Sequence, residues 1–373
     1  MKQPRVALVH DHLNQIGGAE NVLKALHELY PDAPVFTLIY DKKEMGNFCD
    51  SMNITSSFFQ RVPGGKRFFK PLIPFMPTAI ERFDLRPFDI VISDSSAFAK
   101  GVITQPETLH IDYCHTPTRY LWHDTLGYTA ELPTNPILKN ILPFVLTSLR
   151  QWDRMAADRV DAFLANSKTV ALRVKKYYKR DADVIYPPHE LPEKEAVPVS
   201  RVGSYFLVGG RFRPYKRFDL VIRVFNKVGL PLKIFGQGEE EENLRALAGP
   251  NIEFVGPIRD EQKWELFRNA QAFLHPAEED FGITPLESMA AGRPVIAFKK
   301  GGATETIVEG VTGEFFDQQT EASLLKTVRA FRFDAYDPKR IQEHAKKFST
   351  ERFKKEIKEY VDRKYEEHKK QLI

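Results

Sequence analysis

Residues 278–298 read EEDFGITPLESMAAGRPVIAF and place two carboxylates, Glu279 and Glu287, on either side of a Phe-Gly-Ile-Thr-Pro run. Thr284, Pro285 and Glu287 have the form of a helix start. Threonine would be the N-cap, proline the first helical residue and glutamate the third, a capping box opening a short helix that stops at Gly292. That pattern accounts for Glu287 without any ligand. It does not account for Glu279, which follows a strand inside Glu278-Glu279-Asp280. Three adjacent acids repel one another unless a cation or a hydroxyl-rich partner lies close, so Glu279 is the acid that calls for chemistry.

Cations and glycines recur at similar points. GGRFRPYKRFDL (209–220) sets Arg211 and Lys216 around a proline turn before a helix. Two cations beside a helix N-terminus suit a diphosphate, Arg through its fork and Lys as a point charge; a solvated basic face is the plain alternative. In HDHLNQIGGAENVL (10–23), Gly17 and Gly18 directly precede a helix. Their backbone N–H groups suit an anion, or form a turn that binds nothing. The stretch is not GxGxxG, so it does not indicate a dinucleotide site. KKGGATETI (299–307) repeats the Gly-Gly turn with the same two readings. In YCHTPTRYLWH (113–123), His115 falls at a strand end. There it suits a hydrogen bond to a hydroxyl or a reacting oxygen, or a structural role; Arg119 and Trp122 suit packing or ligand contacts alike. His10-Asp11-His12 could suggest a metal, but neighbours on an extended chain point to opposite sides, and no metal site is expected.

These residues need strands to hold them. Short β-rich runs at 5–10, 34–40, 89–94, 109–114, 162–166 and 183–187 alternate with helical patterns such as 19–29 and 136–160. The alternation restarts at 205–210 and continues through runs at 232–236, 252–256, 272–276 and 294–298, with helices at 218–227, 240–247, 262–269 and 285–291 between them. This predicts an α/β protein with two Rossmann-like domains of mostly parallel sheet. The expected division is an N-terminal domain over 1–190, a proline-rich linker over 191–200, a C-terminal domain over 201–350 and a charged helix over 351–373 that packs back on the N-terminal domain. Such folds bind ligands at the carboxyl ends of their strands, and two facing domains would form a cleft there. The motifs above all follow strands.

The 373 residues are 42% hydrophobic and 28% charged, with a formal net charge of +4. That is a globular composition, too weakly basic to argue for nucleic acid. Cys49 and Cys114 are the two cysteines, which gives no disulfide framework or zinc motif. No apolar run approaches the roughly 20 residues of a spanning helix. A cytoplasmic protein, soluble or peripheral to the inner face of a membrane, is expected.

The ordered set of Gly-Gly loop, HTP, GR-x4-K, and E-x7-E followed by a helix and GRPVI resembles retaining GT-B glycosyltransferases of the family-4 type, glycosyl transferases group 1. The resemblance covers nearly the whole chain and is strongest over 205–317. GGAENVLKALHELYPDAPVFTL and YCHTPTRYLW are similar to a bacterial and archaeal branch of mannosyltransferases of O-antigen and exopolysaccharide assembly. The resemblance implies roles by position. Glu279 would contact the donor sugar, and Glu287 the ribose hydroxyls. Arg211 and Lys216 would hold the diphosphate. Phe281, Gly282, Ile283 and Thr284 would border the donor, with backbone amides near Ile283 and Thr284 facing the diphosphate. Gly17 and Gly18 would lie beside the diphosphate and acceptor, and His115 would hydrogen-bond the transferred sugar. Asp280 stands where the wider family usually has glycine, which leaves the donor less defined.

The implied reaction moves a hexose, mannose first among the candidates, from GDP-mannose or a UDP-hexose to a glycan or lipid-linked acceptor, with no cofactor and no metal. For the acceptor side, RVPGGKRFFKPLIPFMP (61–77) mixes Arg61, Lys66, Arg67 and Lys70 with aromatics and contains no acid. That suits contact with an anionic membrane surface, or a basic loop with packed aromatics. Asp181-Ala182-Asp183 has the DxD form of metal-dependent sugar transferases of another fold, but it precedes a strand near the linker and is set aside. A non-catalytic nucleotide-sugar or glycan-binding protein and a GT-B phosphorylase or epimerase remain as alternatives.

Overall fold

A computed structural model of the chain describes residues 3–61, 70–125, 127, 136–192, 195–258 and 260–372. The chain forms two compact units, 1–188 with 350–373, and 189–349. Each carries one sheet, and every strand pairing recorded within the two sheets is parallel.

Among its described residues the first unit holds seven strands: β1 (Val6–Leu13), β2 (Val35–Tyr40), β3 (Ile54–Ser56), β4 (Ile90–Ser95), β5 (Leu109–Cys114), β6 (Ala162–Ala165) and β7 (Ala182–Val184). Their order in the sheet is β3-β2-β1-β4-β5-β6-β7. Side chains alternate across a strand, and here both faces are covered. Leu8, Ile92 and Ile111 pack with Leu23 and Leu26 of the helix Gly18–Leu29. Ala7, Val9 and Val91 pack with Met76, Ile80, Leu146 and Leu149. The helix Thr350–Gln371 belongs to this unit, burying Phe353, Ile357, Tyr360 and Val361 in the cluster around Leu23. Its polar residues tie down as well: Arg352 Nη2 donates to Tyr186 O at 2.8 Å, and Lys354 pairs with Glu28.

The second unit holds β8 (Phe206–Arg211), β9 (Leu232–Gln237), β10 (Ile252–Gly256), β11 (Phe273–His275), β12 (Val295–Phe298) and β13 (Gly313–Phe316), in the order β10-β9-β8-β11-β12-β13. The proline-rich stretch is docked on this unit rather than free. His189 bridges Ser349, and Arg268 and Arg293 donate to the carbonyls of Glu195 and Val197.

The strand runs read from sequence are present. Strands β3 and β13 and the helices Lys168–Tyr178, Glu321–Ala330 and Pro338–Ala345 were not anticipated. β7 also ends at Val184 rather than 187; Pro187 and Pro188 lack the N–H that a longer ladder would need. Among the described residues no helix is long and apolar enough to cross a membrane.

One carboxylate anchors much of the first unit. Asp153, fully buried, receives Lys100 Nζ at 2.6 Å and Thr118 Oγ1 at 2.9 Å on one oxygen. Trp122 Nε1 at 2.7 Å and Tyr178 Oη at 2.8 Å take the other. Removing one member of a buried ion pair strands the other charge. Asp153→Ala is expected to destabilise the first unit by about 3–5 kcal/mol. Urea unfolding followed by tryptophan fluorescence checks this, and a loss under about 1 kcal/mol would mean that Lys100 is resolvated.

Candidate functional site

β8 and β11 are neighbours, so the segments leaving their carboxyl ends emerge side by side. Arg211 is the last residue of β8. Its side chain is exposed and makes no hydrogen bond or ion pair with a described residue. Lys216 closes the 3₁₀ turn Pro214–Lys216, and Arg217, at φ 54°, turns the chain into the helix Phe218–Val228. From the β11 side comes the acidic loop. Lys216 Nζ donates to Glu279 Oε1, with only 16% and 15% of the two side chains exposed. The cation that the triple-acid stretch required therefore comes from a motif far away in sequence.

The helix after that loop is Ile283–Ala290, with Gly282 as N-cap and no side chain capping it. This corrects the capping box: Thr284 and Pro285 lie inside the first turn, and Glu287 lies beyond it. Gly282 reaches φ 87°, a left-handed conformation natural to glycine, and this starts the helix early. Pro285 is tolerated because first-turn N–H groups have no intrahelical partner anyway. Glu287 is instead paired with Lys263 Nζ of the helix Asp260–Asn269 at 2.7 Å. Phe281 is buried, and Ile283 and Thr284 are half-buried at the helix start.

The Gly301-Gly302 turn holds the acid loop from behind. Gly302 N–H donates to Glu279 O at 2.9 Å. Gly301 has φ 63°, and a Cβ there would stand 2.2 Å from Glu279 O. His275, closing β11, was missed from sequence. It is buried, and its Nε2 has no hydrogen-bond partner among the described residues. Burial, with Lys216 nearby, pushes its pKa down to about 3, so a neutral imidazole sits under the start of the helix. The available signal was a polar side chain ending a strand at the same sheet edge as Arg211.

In the first unit, His115 follows β5, and its Nε2 bonds Asp94 Oδ1 at 2.5 Å. The other oxygen of Asp94 bonds His10 Nδ1 at 2.8 Å, and His10 Nε2 lies 3.7 Å from Glu20 Oε1. Burial opposes charge on both rings, yet the carboxylates win. The pKa of His115 is raised by Asp94, and that of His10 is raised to about 10 by Asp94 and Glu20. Burial likewise opposes ionisation of Asp94, but His115 and His10 hold its pKa below the usual value. Gly17 is the N-cap of the helix Gly18–Leu29, extended at φ −159°, and Glu20 in the first turn is buried. The Gly-Gly segment and His115 are thus joined through Glu20, His10 and Asp94; of these, sequence reasoning weighed only His10, and only as a metal ligand. Asp11 does separate work, accepting the backbone N–H groups of Ser96, Ala97, Phe98 and Ala99 at 2.7–2.8 Å. Trp122 is structural, bonded to Asp153 and stacked on Tyr177 with ring centroids 5.0 Å apart. Asp181 is exposed and paired with Lys175. Among the described residues no group of three or more His, Cys, Asp or Glu is arranged to hold a metal ion.

Residues 193–348 match the family model described as Glycosyl transferases group 1. The chain is 25% identical over 360 residues to the Alpha-1,3/1,6-mannosyltransferase ALG2 of Mus musculus, covering 83% of each. It is 33% identical over 111 residues to the O-antigen chain mannosyltransferase C of Escherichia coli, 28% of this chain and 30% of that one. Its fold is similar to Anabaena Alr3699/HepE, solved in complex with UDP, at TM-score 0.70 and 16% identity over 96% of this chain and 99% of that one. That protein was also solved in complex with UDP-glucose.

Glu287 does not cap the helix, but its side chain is only 14% exposed beside Lys263, so Glu287→Ala is expected to cost about 1–3 kcal/mol. Lys263→Ala should cost about the same, with the two losses not adding. A double-mutant cycle in urea measures this; strictly additive losses would show that the two side chains are not coupled.

Proposed function

We propose that this chain, a glycosyltransferase whose residues 193–348 belong to the glycosyl transferases group 1 family, transfers mannose from GDP-mannose to a glycan or lipid-linked acceptor with retention at the anomeric carbon and without a metal. The observation that carries the reading is the contact of Lys216 with Glu279 beside an uncapped helix start. The similarity to ALG2 and to an O-antigen mannosyltransferase supports mannose as the sugar.

Breaking the anomeric bond puts new negative charge on the departing diphosphate. Arg211, Lys216 and the first amides of the helix Ile283–Ala290 stabilise that charge. Lys216 has three donors and serves the phosphate and Glu279 together. Glu279 faces the sugar, and Glu287, once Lys263 yields, accepts from the ribose hydroxyls. Phe281 and Gly282 shape the loop between them. A double displacement would need a carboxylate nucleophile on the opposite face of the sugar. The reading favours attack from the leaving-group face, with the departing phosphate taking the acceptor's proton. His115 supplies a hydrogen bond to the transferred sugar, and Gly17 and Gly18 border the acceptor.

Acceptor delivery at a membrane surface is part of the reading. Residues 51–80 contain no acid, Phe75 is 59% exposed, and the helix Pro136–Asp158 exposes Ile141 at 50% and Phe144 at 77%. Residues 62–69, within the expected 61–77 contact, lie outside the described residues. The protein is expected to co-sediment with phosphatidylglycerol-containing vesicles. Phe144→Ser should weaken this about tenfold, since burying a phenylalanine is worth about 1.5–3 kcal/mol. Unchanged binding by that variant would remove this helix from the contact.

The donor assignment is tested by thermal unfolding with GDP, UDP, ADP and their sugar conjugates. A ligand at about 100 times its Kd adds about 2.7 kcal/mol. GDP-mannose is expected to stabilise the protein, and Glu287→Ala to lose the response. Glu279→Gln is expected to abolish transfer while the melting temperature holds. A response to UDP conjugates alone would replace the donor, and full transfer by Glu279→Gln would remove that residue's role.

A further inference from the structure

We propose that Asp94, backed by His10 and Glu20, is a positioning residue for His115, holding its Nε2 so that Nδ1 is the ring atom presented to the sugar. This rests on the reading that His115 meets the transferred sugar, and it specifies how.

Asp94, the penultimate residue of β4, is 1% exposed, and both its oxygens are occupied, one by each imidazole. An ionised carboxylate only accepts, so the nitrogens facing it, His115 Nε2 and His10 Nδ1, carry protons. His115 Nε2 is therefore spent. Nδ1 makes no hydrogen bond with a described residue, while the side chain keeps 13% exposure. A neutral ring thus offers Nδ1 as an acceptor, and a protonated ring offers it as a donor.

The rest of the ring's surroundings leave it little freedom. His115 N–H donates to Ser95 O at 2.8 Å, Asn166 Nδ2 donates to His115 O at 3.0 Å, and the ring meets Tyr113 edge-on at 5.3 Å. The charged and titratable groups around it are Asp94 from β4, His10 from β1 and Glu20 from the helix Gly18–Leu29, with His12 of β1 acting on His10 and Glu20. Tyr113 comes from β5, with Arg352 and Glu356 of the helix Thr350–Gln371 acting on it. Carboxylate and imidazole thus alternate from Glu20 through His10 and Asp94 to His115, and His115 titrates above its ordinary value. A raised folded value means that this contribution to stability is complete below about pH 6.5 and fades as pH rises through the folded pKa.

Long-range 1H–15N spectra of the full-length labelled protein read the tautomer and the titration of His115 directly. In wild type the neutral ring should carry its proton on Nε2 and titrate above 6.5. Asp94→Asn should lower that midpoint by at least about one unit, the loss of a nearby opposite charge. His10→Gln, which leaves Asp94 in place but removes a competing positive charge, should raise it and serves if Asp94→Asn does not fold. Calorimetry with GDP-mannose and with GDP gives the functional arm. Asp94→Asn should lose about tenfold for GDP-mannose, about 1.4 kcal/mol, and little for GDP, with partial recovery in Asp94→Glu. A His115 tautomer and midpoint that do not respond to Asp94→Asn or to His10→Gln would overturn the proposal. If wild type binds neither GDP-mannose nor GDP, the donor reading fails, and the spectra still decide whether Asp94 positions His115.

Discussion

Lys216 and Glu279 meet because β8 and β11 are adjacent, although β9 and β10 separate them along the chain. In an all-parallel sheet every strand delivers its following loop to the same edge. Crossing from one half of the sheet to the other at β8–β11 brings a loop from each half together there. The acid cluster after β11 would be self-repelling without the cation after β8. The Gly301-Gly302 turn after β12 then presses on the acid loop from the other side. One topological fact therefore neutralises the carboxylate, places it, and leaves an uncapped helix start beside it.

The first unit uses buried carboxylates in the same spirit, each satisfied by partners from several elements. Asp11 gathers four backbone N–H groups, Asp94 two imidazoles, and Asp153 an ammonium, a hydroxyl, an indole and a phenol. Asp112 accepts from Ser93 and Ser95, and burial still pushes its pKa up to about 7. Such groups are costly unless fully paired, so they specify the loops that pair with them. The loop carrying His115 is held at both ends in this way: Asp94 bonds His115 itself, and Asp153 bonds Thr118 and Trp122.

Much of this was readable beforehand. The alternation of β-rich runs and helical patterns located eleven of the strands, and the elements that were missed are instructive. β3 is an edge strand of three residues, too short for periodicity to register. The capping box failed for a different reason. Thr-Pro-Leu-Glu has the right spacing, but Gly282 offered a left-handed start two residues earlier, and a proline in the first turn does not object. A four-residue pattern cannot report which of two nearby starts the preceding loop selects.

Local chemistry was thus determined by the sequence alone: which residues end strands, where glycines and prolines turn the chain, and which side chains carry charge. Those properties depend on near neighbours and on period, so they survive without the fold. Pairing was decided only by tertiary structure. That Glu279 faces Lys216, Glu287 faces Lys263, and His115 faces Asp94 follows from strand order and helix packing. Strand order depends on contacts between residues far apart in the chain, and no local spacing encodes it.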